Sequence, residues 1–195
     1  MKSAVQCIAI VLLLAMYAAA GWAVLHPHVS PEYRAYFIDR TSTDYRPQHY
    51  SSTPQQGMIF RDPGLPDWVA STHGFSFREE VGRWTDENLH AVPGLTFTKP
   101  FGGDVCLELN AYTVPWLASY DMPIRFGDQQ EAAKLLAGGP DKYEVQFHDL
   151  RGGDHVDFIL PPNLPAIVER EHTSGDTRRL GVSLNSLRIL PGRCT

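Results

Sequence analysis

Asp104-Val105-Cys106-Leu107-Glu108-Leu109-Asn110-Ala111-Tyr112 is the stretch whose reading decides the fold. Val105, Leu107, Leu109 and Ala111 alternate with Cys106, Glu108 and Asn110. Successive side chains of an extended strand point to opposite faces, so this period of two predicts a strand with one apolar face. On a helix the same four residues would be scattered around the circumference, leaving no continuous apolar stripe.

Working outward, the same period returns in short pieces. Trp68-Val69, residues 73–77, residues 89–92 and Leu95-Thr96-Phe97 precede the central strand; residues 123–126 follow it, with a turn at Gly127-Asp128. Tyr143, Val145 and Phe147 alternate with polar neighbours, as do Val156, Phe158 and Leu160. In the last stretch Leu180, Val182 and Leu184 share one face, and Leu187 and Ile189 take the opposite phase. That change of phase predicts a bulge near Asn185-Ser186. Residues 131–136 read two ways: their composition favours helix, whereas a length of six between turn signals suits a strand. Fifteen prolines and sixteen glycines keep the pieces short. Eight or nine strands, with no βαβ alternation and no internal repeat, predict a mainly β chain folded as an antiparallel β-sandwich or jelly roll.

The other decisive segment is the N-terminal run 4–25, which has no charge and one strongly polar side chain, Gln6. As a helix it extends about 33 Å, enough for the hydrocarbon core of a bilayer. Lys2 precedes it and Trp22 lies near its far end. This predicts one transmembrane anchor in the inner (cytoplasmic) membrane, the N-terminus cytoplasmic and the body periplasmic. The rival is a signal peptide cut after Ala18-Ala19-Ala20, which would release the body into the periplasm. The expected organisation is an anchor or signal over 1–25, a juxtamembrane segment and loop over 26–66, and a β-sandwich over 67–195. Within the middle part a short helix is expected over 31–40, with Ser30 as N-cap, Pro31 at its first position and Glu32 in its first turn. A short strand is expected at Met58-Ile59-Phe60.

Formal net charge is −5 and no basic run interrupts the chain, which argues against nucleic acid as a partner. Of three cysteines, Cys7 lies in the apolar run. Cys106 and Cys194 either bridge, as an oxidising compartment permits, or remain a buried and a free thiol. No phosphate loop, nucleophile elbow or Cys/His catalytic pattern is present, so no cofactor is expected. His148, Asp149, Asp154 and His155 bracket Arg151-Gly152-Gly153, which reads as a polar hairpin turn or a metal site. Glu79, Glu80, Asp104, Glu108 and Asp154 are the carboxylates a glycosidase pair would draw on.

The segment Gly74-Phe75-Ser76-Phe77-Arg78-Glu79-Glu80-Val81-Gly82-Arg83-Trp84-Thr85 sets a carboxylate, a guanidinium, an indole and a hydroxyl within twelve residues. Its pattern G-F-S-x-x-E-x-x-G-R-W-T resembles the opening of a β-sandwich accessory domain of uncharacterised function. That domain is found C-terminally in periplasmic phosphoglycerol transferases and some membrane glycosyltransferases. Phe126-Gly127 and the run Asp176-x-Arg178-x-Leu180-Gly181 agree with it, and the resemblance covers roughly residues 68–190. It implies a noncatalytic accessory module that binds glycan or lipid-linked sugar, or docks on a membrane glycosyltransferase or phosphoglycerol transferase. A structural subunit without its own ligand is the alternative; a glycan hydrolase or transferase is the third reading. Ligand contacts are expected from Glu79, Arg83, Trp84, Trp116 and Tyr120. Each has a structural reading beside it: Arg83 closing a loop onto Glu79 or Glu80, Trp84 in the core, Asp176 and Arg178 tying down the last loop.

Overall fold

The structure is a computed structural model and describes residues 2–26, 29, 33–40, 49–166 and 175–194. Helix α1 (Lys2–Leu25) has 24 residues and is long and apolar enough to cross a membrane. Residues 8–25 of it bury nothing against the rest of the chain. Trp22 stacks on His26 at its end, ring centroids 3.8 Å apart. The expected cap at Ser30, Pro31 and Glu32 lies outside the described residues. Beyond it, Arg34–Ile38 form a single wide helical turn with five-residue spacing.

The body is mainly β. Strands β1 (His49–Tyr50), β2 (Met58–Ile59) and β3 (Leu65–Pro66) are short; β4 (Val69–His73), β5 (Phe75–Glu79) and β6 (Gly82–Asp86) follow. The long β7 (Gly94–Thr113) leads to β8 (Asp121–Phe126), β9 (Gln129–Lys134), β10 (Gly138–Phe158) and β11 (Leu180–Pro191). Nine of these form one antiparallel sheet, ordered β5-β6-β11-β7-β10-β8-β9, with β2 added to β11 and β4 to β7. The first half of β7 pairs with β4, and its second half with β11. Likewise the first half of β10 pairs with β7 alone, and its end with β8. Because both long strands bend, one sheet folds over itself into two sandwich-like layers.

Several short strands expected from the sequence are thus halves of longer ones. Residues 148–155 are no hairpin turn: β10 runs through them beside Phe101 and Gly103 of β7, with successive register shifts. The bend relies on Gly153, where a Cβ would lie 2.6 Å from Leu150 Cδ2 and 2.8 Å from Phe126 Cδ2. Residues 131–134 lie in strand β9, paired to β8, and the bulge on β11 falls between Leu184 and Ser186. That bulge frees the Asn185 carbonyl to accept the Phe60 amide at 2.9 Å. Residues 89–92 form turns instead of a strand, because the Asp86 carbonyl accepts the amides of Leu89 and His90.

Aromatic rings join the layers. Phe126 of β8 meets Phe147 of β10 at 5.4 Å and Phe97 of β7 at 5.6 Å; Phe75 of β5 meets Phe158 of β10 at 6.3 Å. Burying such a ring contributes about 1.5–3 kcal/mol. Met58, Phe60 and Leu65 also enter this core, so the stretch 58–65 packs as part of the body. Cys106 and Cys194 are joined in a disulfide, Cα atoms 5.1 Å apart. This explains why Cys106 is buried although it faces away from Val105 and Leu107: the C-terminal segment covers the outer face of β7. Gln146 helps hold it there, accepting the Cys194 amide at 2.7 Å and donating to the Gly192 carbonyl.

Candidate functional site

The segment Gly74–Thr85 folds into the β5–β6 hairpin. Its return depends on Gly82, whose φ of +124° is unfavourable for any side chain and whose Cβ would collide with the Leu184 carbonyl. On β6, Arg83 and Trp84 are neighbours and so face opposite sides of the sheet. Trp84 lies on the opposite face from Arg83, half-buried against the edge of the core, where its Nε1 donates to Glu79 Oε2 at 3.1 Å. Glu79 Oε1 in turn accepts Arg178 Nη1 at 2.6 Å.

Arg178 comes from the entry to β11 and is gripped on three sides. Its Nε donates to both oxygens of Asp176 at 3.0 and 2.9 Å, and its Nη2 to Asp176 Oδ2 at 2.7 Å. Its guanidinium lies 4.5 Å over the Phe77 ring. Such a fork fixes both carboxylates in plane. Burial works against the Asp176 charge, but the hydrogen bonds from Arg178 overcome it and hold that carboxyl below the usual range.

Around this triad opens a cleft of about 310 Å³, lined by Glu79, Trp84, Pro115, Trp116, Arg178 and Leu180. Trp116 belongs to the 3₁₀ turn Pro115–Leu117 and remains 40% exposed. Leu117 anchors that turn by burial in the core. One wall is therefore indole and aliphatic, the other the Glu79–Arg178 ion pair. That combination suits a ligand with an apolar face and a polar edge.

Glu79, Trp84 and Trp116 converge here. Arg83 does not: it is 0% exposed, points inward and donates from Nε to the Phe60 carbonyl at 2.9 Å. A ligand cannot reach it, and the carboxylate expected beside it is held by Arg178. Tyr120 packs against the core and donates to the Ile159 carbonyl at 3.4 Å, outside the cleft lining. The other acids are dispersed: Glu108 pairs with Lys142 and Arg188, and Asp104 and Asp154 with His148 and His155. Among the described residues no group of three His, Cys, Asp or Glu could hold a metal. Arg178 reaches Glu79 across 99 residues of sequence, which no local pattern announces.

A second cavity of about 410 Å³ lies between the Arg34–Ile38 turn and residues 177–179. Its polar side chains brace the fold: Asn88 donates to the Thr177 carbonyl, Arg179 to the Leu164 carbonyl, and Glu87 accepts the amides of Asn163 and Leu164. Beside it the Tyr36 hydroxyl donates to Asp86 Oδ2, which clasps the Arg34–Ile38 turn to β6. Burial pushes the Asp86 carboxyl above the usual range, and the hydrogen bonds from Tyr36 and the Asn88 amide oppose that rise. The folded chain thus holds this proton more tightly than the unfolded one. Asp86 favours folding in acid, below the unfolded value of about 3.9, and disfavours it as pH rises through the folded value. Tyr36→Phe removes a hydrogen bond to the charged form and is expected to lose about 1.5–3 kcal/mol at neutral pH. The loss should shrink as the pH falls and Asp86 protonates, which denaturant titrations across that range will measure.

Taken together, this is an antiparallel β domain with an open aromatic cleft, preceded by one helix able to span a membrane. By sequence the chain belongs to the family described as Domain of unknown function (DUF7024), matched over residues 44–191. It is also similar to Phosphoglycerol transferase I of Salmonella paratyphi B and of Salmonella typhimurium, each 22% identical over 134 residues. The match covers 68% of this chain but 17% of those relatives, so the chain spans about a sixth of their length. The likeness connects the chain distantly to phosphoglycerol transferases. No solved structure matches the chain.

Proposed function

We propose that this chain is a noncatalytic envelope module, held in the inner membrane by α1 with its body in the periplasm, that binds glycan in the Trp84–Trp116 cleft. In this reading it presents a glycan or lipid-linked sugar to a membrane enzyme that modifies it, such as a phosphoglycerol transferase or glycosyltransferase. The observation that carries the proposal is the convergence of Glu79, Trp84, Trp116 and Arg178 on one open cleft. Indole faces stack on the apolar face of a pyranose, and the carboxylate–guanidinium edge meets its hydroxyls. The similarity to segments of Phosphoglycerol transferase I supports the choice of partner class.

The test is a glycan screen with the full chain in lipid nanodiscs. Binding to at least one envelope-type glycan is expected, and Trp116→Ala should weaken it about tenfold or more, a loss of about 1.4 kcal/mol or above. Failure to retain any glycan, or binding indifferent to Trp116→Ala, would favour a structural subunit without its own ligand. For orientation, a reporter enzyme active only in the periplasm should be active when fused after residue 195; inactivity there would contradict the assigned topology.

A further inference from the structure

We infer that the cleft selects an uncharged stretch of glycan and rejects one carrying phosphate or carboxylate substituents. This rests on the glycan-binding reading and names its ligand class. The charged side chains lining the cleft are Glu79 and Arg178, and Asp176, bonded to Arg178 outside the lining, adds a second acid, so that the three together carry a formal charge of −1. Arg178 is the one cation among the described lining residues, and it is already engaged by both acids at 2.6–3.0 Å. One face of it lies over the Phe77 ring. An incoming anion finds the charge of this guanidinium already offset by two carboxylates and meets repulsion from Glu79 in the lining.

A neutral sugar meets no such conflict. Glu79 receives Arg178 on one oxygen and Trp84 on the other. Each carboxylate oxygen has two lone-pair sites, so hydroxyl groups can donate to the second of each. The indole of Trp84 is fixed by the same carboxylate, which orients the stacking wall and the hydrogen-bonding edge relative to one another. Leu180 and Pro115 extend the apolar side. The site therefore offers acceptors and ring faces, not spare positive charge, and that is a site for hydroxyls.

The experiment uses the full chain in nanodiscs of uncharged lipid, with short β-linked gluco-oligosaccharides either unmodified or carrying phosphate monoesters on primary hydroxyls. Tryptophan fluorescence reads binding, with wild type, Trp116→Ala and Glu79→Gln compared. The unmodified oligosaccharides should bind about fivefold or more tightly than the phosphorylated ones, a gap that added salt narrows. Glu79→Gln should narrow the ratio as well, because it removes one of the two negative charges. Equal or tighter binding of the phosphorylated forms, lost in Trp116→Ala, would overturn the charge selection while leaving the cleft as a glycan site. No binding of either form, or binding that Trp116→Ala leaves unchanged, would remove the glycan reading and this inference with it.

Discussion

Phe126→Ala is expected to destabilise the body by about 3–5 kcal/mol, the range for deleting a large buried aromatic side chain. Phe126 is fully buried and sits between the two layers, with Phe97, Phe101 and Phe147 at 5.6, 5.8 and 5.4 Å. Those partners come from both halves of the folded sheet. Truncation leaves a cavity that the paired backbones of β7, β8 and β10 hold open. Leu136→Ala, at a side chain 54% exposed, serves as the control and should change stability by less than about 0.5 kcal/mol. Denaturant unfolding of the full chain in detergent measures both. Equal small effects would mean that the two layers do not enclose this core.

Cys194→Ser should cost about 2–4 kcal/mol, and Cys106→Ser about the same, with the double variant adding little. The bridge closes a loop with a sequence separation of 88, for which the chain-entropy limit is about 4.6 kcal/mol. The expected loss falls below that limit because the unfolded chain without the bridge keeps residual structure and gains less freedom than an ideal coil. Wild type under reducing conditions should behave like the single variants. A reductant without effect on wild-type stability would show that the C-terminal segment is held by its hydrogen bonds alone. Persistence of the bridge in the cell requires an oxidising compartment, which is consistent with the proposed export of the body.

Much of the fold was legible because burial on this sheet follows the period of two. Val105, Leu107, Leu109 and Ala111 are all interior, and the phase change at Asn185 marks a real bulge. What the pattern missed was continuity: Leu95-Thr96-Phe97 and residues 104–112 belong to one strand, because Phe101 and Gly103 between them stay paired to β10. Residues 89–92 alternate like a strand, but the Asp86 carbonyl captures the amides of Leu89 and His90, and the His90 ring that of Val92.

At the site, residue types were legible and facing was not. Arg83 and Trp84 are adjacent, so one must point inward, and apolarity alone would send Trp84 there. The arrangement is reversed because Phe60, 23 residues earlier in the chain, offers Arg83 a carbonyl inside, while Glu79 offers Trp84 an acceptor on the opposite face. A one-residue change of register exchanges the two faces of a strand, so such long-range partners decide which side chain a ligand meets. The Asp176–Arg178 pair was visible as a motif; its bond to Glu79, which turns a loop brace into one wall of a cleft, depends on the tertiary fold.

Hydrogen exchange of the full chain in nanodiscs, with and without saturating gluco-oligosaccharide, tests the cleft most directly. Added protection should appear at residues 79–84, 114–116 and 178–180 and vanish in Trp116→Ala. Exchange that is unchanged in those three segments, or protection confined to other parts of the body, would contradict a glycan site between Trp84 and Trp116.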